Sequence, residues 1–293
     1  MGVSQTGWAA TWIRPLAVAT LVTNVMIVVT GGVVRLTGSG LGCPTWPRCT
    51  DESFVPHVAL GIHGAIEFGN RMVTFVLAAV AIATVVAAWR YGRTSILRLA
   101  FVLGLGVPAQ AIIGGITVLT DLNPWIVAFH LLVSLAMIGV SVVLLRRLGE
   151  GDGPAEFAVP ASSAWLVRAT FVAGWVVLYV GTVVTGSGPH AGDVDAPRNG
   201  LDPQSLSQLH TDVVFLLIGL TIGSLFALRS VGAPAVAVRA AVVLLGVELG
   251  QGLIGFVQYF TDLPVVLVGF HLLGAALVSA ALTWLLVTVR TRT

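Results

Sequence analysis

Charge is what this sequence has least of: only 10% of its 293 residues are charged, lysine does not occur, and 56% are hydrophobic. With a mean hydropathy of +0.96, that composition excludes an ordinary soluble domain. Cysteine is nearly absent too, Cys43 and Cys49 being the only two. The formal net charge of +2 rests entirely on fifteen arginines. Their positions follow membrane topology, so the charge balance gives no ground for nucleic-acid binding.

What the chain has instead is long uncharged runs. Roughly 20 apolar residues cross a bilayer as a helix. Eight stretches reach that length, near 16–36, 60–89, 97–119, 124–146, 165–185, 206–228, 236–259 and 264–289. The reading is an all-α polytopic membrane protein with eight transmembrane helices. The first run is long for a signal peptide and lacks a small-residue cleavage site. If the spans alternate, Arg14, Arg90, Arg93, Arg98, Arg146, Arg147, Arg168, Arg229, Arg239, Arg290 and Arg292 fall on one side. That side, with both termini, is expected to be cytoplasmic in a cell membrane. The opposite loops hold Arg35, Arg48 and Arg198 among most of the acidic residues.

The second span opens with His63-Gly-Ala-Ile-Glu67-Phe-Gly-Asn70-Arg71 and then carries no charge from Met72 to Ala88. An ionisable side chain in hydrocarbon costs on the order of 3 kcal/mol or more, so such a cluster is a functional-site hypothesis. On a helix His63, Glu67 and either Asn70 or Arg71 share one face.

The chain also repeats itself. Thr37-Gly-Ser-Gly returns as Thr185-Gly-Ser-Gly, Gln110-Ala-Ile-Ile-Gly as Gln251-Gly-Leu-Ile-Gly, and Phe129-His130-Leu-Leu as Phe270-His271-Leu-Leu. This reads as duplication of a four-helix unit, with both copies in the same orientation. The expected halves are 1–148 and 164–293, two tandem four-helix bundles joined by a cytoplasmic linker, 149–163. Each half offers two histidines, His63 and His130 in the first, His210 and His271 in the second. Inward histidines from two helices of a bundle suit a haem, whereas the plainer reading is hydrogen bonding between helices. His57 and His190 fall in outer loops and are expected to be solvated. Glu248, alone in the seventh span, is expected to hydrogen-bond between helices. Cys43 and Cys49 lie six positions apart in an outer loop, where a disulfide is permitted and free thiols are the alternative.

With those residues placed, the chain resembles the haem A synthase family over essentially its whole length. The resemblance rests on the Thr37-Gly-Ser-Gly-Leu-Gly-Cys-Pro-Thr-Trp-Pro loop, on Glu67-Phe-Gly-Asn-Arg71, on His130, His210 and His271, and on the duplication. It implies oxidation of one methyl group of haem O to a formyl, giving haem A for cytochrome oxidase, through two hydroxylations and loss of water. It implies substrate haem in the first half and haem B in the second, ligated by His210 and His271. Cys43 and Cys49 match the family's outer cysteine pair, and haem O synthase and the assembly of cytochrome oxidase are the implied partners beside membrane lipid.

Glu67 is then the catalytic candidate, as proton carrier or as stabiliser of positive charge at the methyl carbon. Its alternative is an ion pair with Arg71, which itself suits a haem propionate. The sequence departs from the family where a histidine is expected and Asn70 stands. Asparagine is a poor iron ligand, so His63, about 10 Å away along the helix, joins His130, His210 and His271 as a candidate ligand to haem iron. The second outer loop, Thr185–Ser205, has no cysteines. Two rivals remain. A di-haem b-type cytochrome taking electrons from quinol needs the four histidines but not Glu67. A transporter built on the repeat needs helices broken at mid-membrane.

Overall fold

The computed structural model describes residues 7–292; residues 1–6 and 293, which the expected domain bounds include, lie outside that range. Its helices are α1 (Trp8–Leu36), α2 (Gly61–Tyr91), α3 (Thr94–Leu119), α4 (Pro124–Leu148), α5 (Ala161–Ser187), α6 (Pro203–Ser230), α7 (Ala235–Phe260) and α8 (Val265–Thr288). All eight are long and apolar enough to cross a membrane. A helix satisfies its own backbone polar groups, the condition for crossing hydrocarbon. None is interrupted at mid-length, unlike the broken helices the transporter reading requires.

Local chemistry sets several ends. Asn123 accepts the Trp125 N–H and Asp202 that of Ser205, each followed by a proline that needs no N–H partner in the first turn. Gly92 closes α2 with φ +82°, a left-handed conformation favoured by glycine. The turns before α4 and α8 share an unusual backbone: Asp121 and Leu122 have φ of 51° and 60°, Asp262 and Leu263 of 57° and 56°.

Two boundaries differ from expectation. α1 begins at Trp8, eight residues early, and runs through Arg14 and Pro15. The proline removes one backbone bond, but Ile13 and Ala17 on either side are buried against the bundle and carry the helix past it. At about 44 Å, from 1.5 Å per residue, α1 exceeds the hydrocarbon thickness of roughly 30 Å. The expected linker 149–163 is also more structured. Ala155–Phe157 (β1) pairs antiparallel with Arg290–Arg292 (β2), and α5 already starts at Ala161. Two three-residue strands more than 130 positions apart carry no readable alternation.

α1 packs on α2 and α4, and α3 lies between α2 and α4, closing a four-helix ring. α5 to α8 form a second ring in the same order, and the rings meet through α1 and α4 against α5 and α8. The apolar core of the second ring takes in Val28, Leu135 and Ile138 from the first. Ser279 of α8 donates to the Leu135 carbonyl at 2.7 Å across that interface.

Candidate functional site

At the end of the first ring where α1 leaves and α2 enters, the chain folds into a loop closed by a Cys43–Cys49 disulfide, both residues fully buried. The face His63–Glu67–Asn70–Arg71 lies beneath it. Glu67 is 5% exposed; its Oε2 accepts the Cys43 N–H at 2.5 Å and its Oε1 accepts from Arg71 at 2.6 Å. Arg71 also donates to the carbonyls of Cys43, Thr45 and Arg48, at 3.2, 3.0 and 3.0 Å. The carboxylate and guanidinium thus hold the loop to the helix, with charge-assisted bonds at both ends. Gly42 passes so close to the His63 backbone that no side chain fits there, and the Trp46 ring lies directly on Gly115 of α3.

His63 is exposed, and its Nδ1 pairs with Ser39 Oγ at 2.9 Å. Asn70 accepts a hydrogen bond from Thr30 at 2.7 Å. The other three histidines form a distinct group. His130, His210 and His271 each have an Nδ1 that is buried and without a hydrogen-bond partner. Each ring also faces a glycine on a neighbouring helix. A Cβ built on Gly114 would stand 3.2 Å from His130 Cε1, on Gly181 3.1 Å from His210 Cε1, and on Gly255 3.5 Å from His271 Cε1. Gln110 holds the start of this stretch by donating to the His130 carbonyl at 3.0 Å and to Ser134 Oγ.

His210 and His271 face each other across the second ring, with centroids 6.5 Å apart and planes at 77°. Two imidazoles binding one iron from opposite sides need about 2 Å per metal–nitrogen bond plus about 1 Å from nitrogen to each ring centre, about 6 Å in all. The donor set and spacing therefore fit a bis-histidine haem. Among the described residues no three His, Cys, Asp or Glu side chains converge as a metal site. A haem does not need them, since the porphyrin supplies four ligands and the protein two.

Hydrogen bonds between the first two helices of each ring set the register. Thr20 pairs with Thr84 at 2.9 Å, and Thr170 with Ser224 at 2.8 Å. Thr84 lies fourteen residues after Asn70, and Ser224 fourteen after His210. Asn70, rather than His63, occupies the position that His210 holds in the other ring.

Two expectations outside this group are also resolved. His190 is not simply solvated; it is half-buried, its Nε2 2.9 Å from the Leu263 carbonyl, because the α5–α6 connection folds back over the bundle. Glu248 bridges helices as expected, accepting from Thr221 at 2.8 Å. What sequence reasoning missed is the framework: Thr30, Ser39, Trp46 and the three glycines. Paired glycines such as Gly114-Gly115 mark close approach in a membrane helix, but do not say which side chain approaches.

Two helical rings spanning a membrane, with histidines whose Nδ1 atoms are buried and unpartnered and a disulfide-closed loop at one end, define a multi-pass membrane protein of histidine-bearing bundle type. Comparison with known proteins narrows this. Residues 14–195 match COX15-CtaA, described as cytochrome oxidase assembly protein, and the chain belongs to that family. It is similar to the Heme A synthase of Geobacillus thermodenitrificans, 31% identical over 141 residues, 47% of this chain and 44% of that one. It is similar to that of Halalkalibacterium halodurans, 31% identical over 168 residues and 55% of each chain. Against that of Lysinibacillus sphaericus it is 28% identical over 180 residues, 59% of this chain and 58% of the relative. The chain spans about half the length of the curated relatives it matches.

Proposed function

We propose that the protein is a haem A synthase, a membrane oxidoreductase that converts a methyl group of haem O to a formyl for cytochrome oxidase. The observation that carries the reading is the asymmetry between the rings. In the second, His210 and His271 oppose each other as a closed ligand pair suited to haem B. In the first, the Nδ1 of His130 is buried and without a partner while Asn70, at the position of His210, is bound to Thr30. A six-coordinate haem passes electrons, whereas chemistry needs an open side. A cytochrome that only relays electrons would use a matched pair in each ring, so the asymmetry favours the enzyme.

Under this reading residues 1–148 hold substrate and 164–293 hold haem B, with 149–163 between them on the cytoplasmic side. Haem B, when bound, supplies one-electron redox chemistry to the second ring. His130 holds the substrate iron, with His63 as the alternative ligand, and the loop carrying Trp46 covers the site and limits water. Glu67, among the described residues the only buried carboxylate at this end of the first ring, is held in place by Arg71 and the Cys43 amide. It serves as proton carrier or as a fixed negative charge beside the carbon being oxidised. Arg71 pairs with that carboxylate and holds the loop closed. Haem O synthase, delivering substrate, is the partner this chemistry requires.

The test is extraction and chromatography of haems from cells expressing this chain together with a haem O source. Haem A in those cells, and none with an empty vector, is the expected result. Haem O alone, with a b-type spectrum intact, would leave the electron-relay reading in its place.

A further inference from the structure

At the end of the bundle that carries the disulfide, the α5–α6 connection (188–202) crosses onto the first ring. Gly40 donates to the Gly192 carbonyl at 2.7 Å, and Leu122 packs with Ala191 and Ala196. Under the crossing lies a cavity of about 160 Å³ whose lining includes Arg35, Arg198, His190, Gly38, Gly192 and Asp193. One water needs about 10–15 Å³ of such space, so there is room for a tetrahedral oxyanion with part of its hydration. Leu36, also at the cavity, lies toward Gly269 of α8. The cavity therefore sits over the seam between α1 and α8, where the two rings meet.

Its charge is not balanced from within. Arg35 donates to the carbonyls of His190 at 2.6 Å and Thr185 at 2.8 Å. Arg198 donates to those of Ala196 at 2.6 Å and Pro189 at 2.9 Å. Each guanidinium has five N–H donors, so both keep donors beyond these bonds. Among the described residues neither forms an ion pair. Asp193 borders the same space, but its Oδ1 accepts the Asp195 N–H at 3.0 Å and it reaches neither arginine. Two like charges at one small cavity repel each other unless an anion joins them, and guanidinium forks match phosphate oxygens in pairs.

We propose that this cavity binds a phosphate-class oxyanion, carried either by an anionic phospholipid headgroup seated over the α1–α8 seam or by free phosphate. Arg35, fixed by two carbonyls of the crossing segment, is the inner contact. Arg198, exposed on the loop, closes the site from outside.

The full chain is purified and placed in nanodiscs of phosphatidylcholine, with or without phosphatidylglycerol. Native mass spectrometry reads retained lipid, and thermal melting in inorganic phosphate is compared with chloride at equal ionic strength. Retention of one phosphatidylglycerol supports the headgroup source. A phosphate-specific rise in Tm in phosphatidylcholine alone supports the free anion. In either case Arg198→Gln weakens the effect by about tenfold or more, a change of about 1.4 kcal/mol, and Arg198→Lys, which keeps charge but not the fork, falls between. Wild type that retains no phosphatidylglycerol and melts alike in both salts overturns the proposal without any variant. So does Arg198→Gln with unaltered anion response, or one that loses haem while its anion response is unchanged, which would assign the arginine to haem carboxylates.

Discussion

At the scale of the residue, Glu67 carries two burdens that one substitution separates. Its oxygens hold the Cys43 amide and Arg71, so Glu67→Gln keeps one acceptor, turns an N–H₂ toward the other donor and leaves Arg71 without its counter-charge. Breaking a buried pair costs about 3–5 kcal/mol. Here the cost falls toward the low end, because three loop carbonyls still accept from Arg71 and its side chain is 20% exposed. Under the proposed function, the expected result is a protein that reaches the membrane and keeps b-type haem, yet accumulates haem O or the half-oxidised alcohol. Haem chromatography and membrane abundance, measured on the same preparation, check it. A parallel fall in abundance and all haems would reduce Glu67 to a brace for the loop. For the histidines, His210→Ala and His271→Ala are each expected to abolish low-spin b-type absorbance, whereas His130→Ala loses substrate haem and spares that spectrum. His63→Ala should have a weaker effect, since Ser39 already engages its ring. Normal haem O binding in His130→Ala would move the substrate ligand elsewhere.

The element scale shows how much of this was legible. The eight spans follow from hydropathy alone, because hydrocarbon permits a long uncharged run few alternatives to helix. The Glu67–Arg71 pair follows from i, i+4 spacing. The clamp on the disulfide loop does not, since its partners are main-chain carbonyls of Cys43, Thr45 and Arg48, which have no sequence signature. The β1–β2 ribbon was hidden for a similar reason, and it brings a further ion cluster to the opposite end. Asp152 accepts from Arg93 at 2.9 Å and Arg147 at 3.0 Å, and from Ser95. The hydrogen bond from Arg93, then that from Ser95, hold its carboxyl down at about 2, against an ordinary 3.8. A depressed folded value means stabilisation present above the unfolded value and lost as pH falls through the folded one. Asp152→Asn should therefore lower Tm at neutral pH, and the gap to wild type should narrow between pH 3.8 and about 2. The effect is small, as Asp152 is half exposed and water screens the pair. A gap that stays constant over that range would show that the carboxylate charge is not what ties the linker to the α2–α3 turn.

For the whole molecule, charge and redox chemistry point to the same orientation. The end formed by the α2–α3, α4–α5 and α6–α7 connections carries Arg90, Arg93, Arg146, Arg147, Arg229 and others, whereas the opposite end carries the disulfide and most of the acidic residues. Arginine-rich loops stay in the cytoplasm, and disulfides persist outside it. A bundle inserted the other way would place Cys43 and Cys49 in a reducing compartment and carry the arginine-rich loops across the membrane. Because both native cysteines are bonded and buried, a cysteine added elsewhere reports position without interference. Asp195→Cys, on the exposed α5–α6 connection, is expected to react with a membrane-impermeant maleimide in intact cells. Glu156→Cys, exposed on β1, should react only after permeabilisation. The reverse pattern would invert the molecule and, with it, place the disulfide loop and the Glu67 face on the cytoplasmic side. Labelling of both sites in intact cells would show leaky cells, and fluorescence of a green fluorescent protein fused at the C-terminus, which matures in the cytoplasm, then decides the orientation independently.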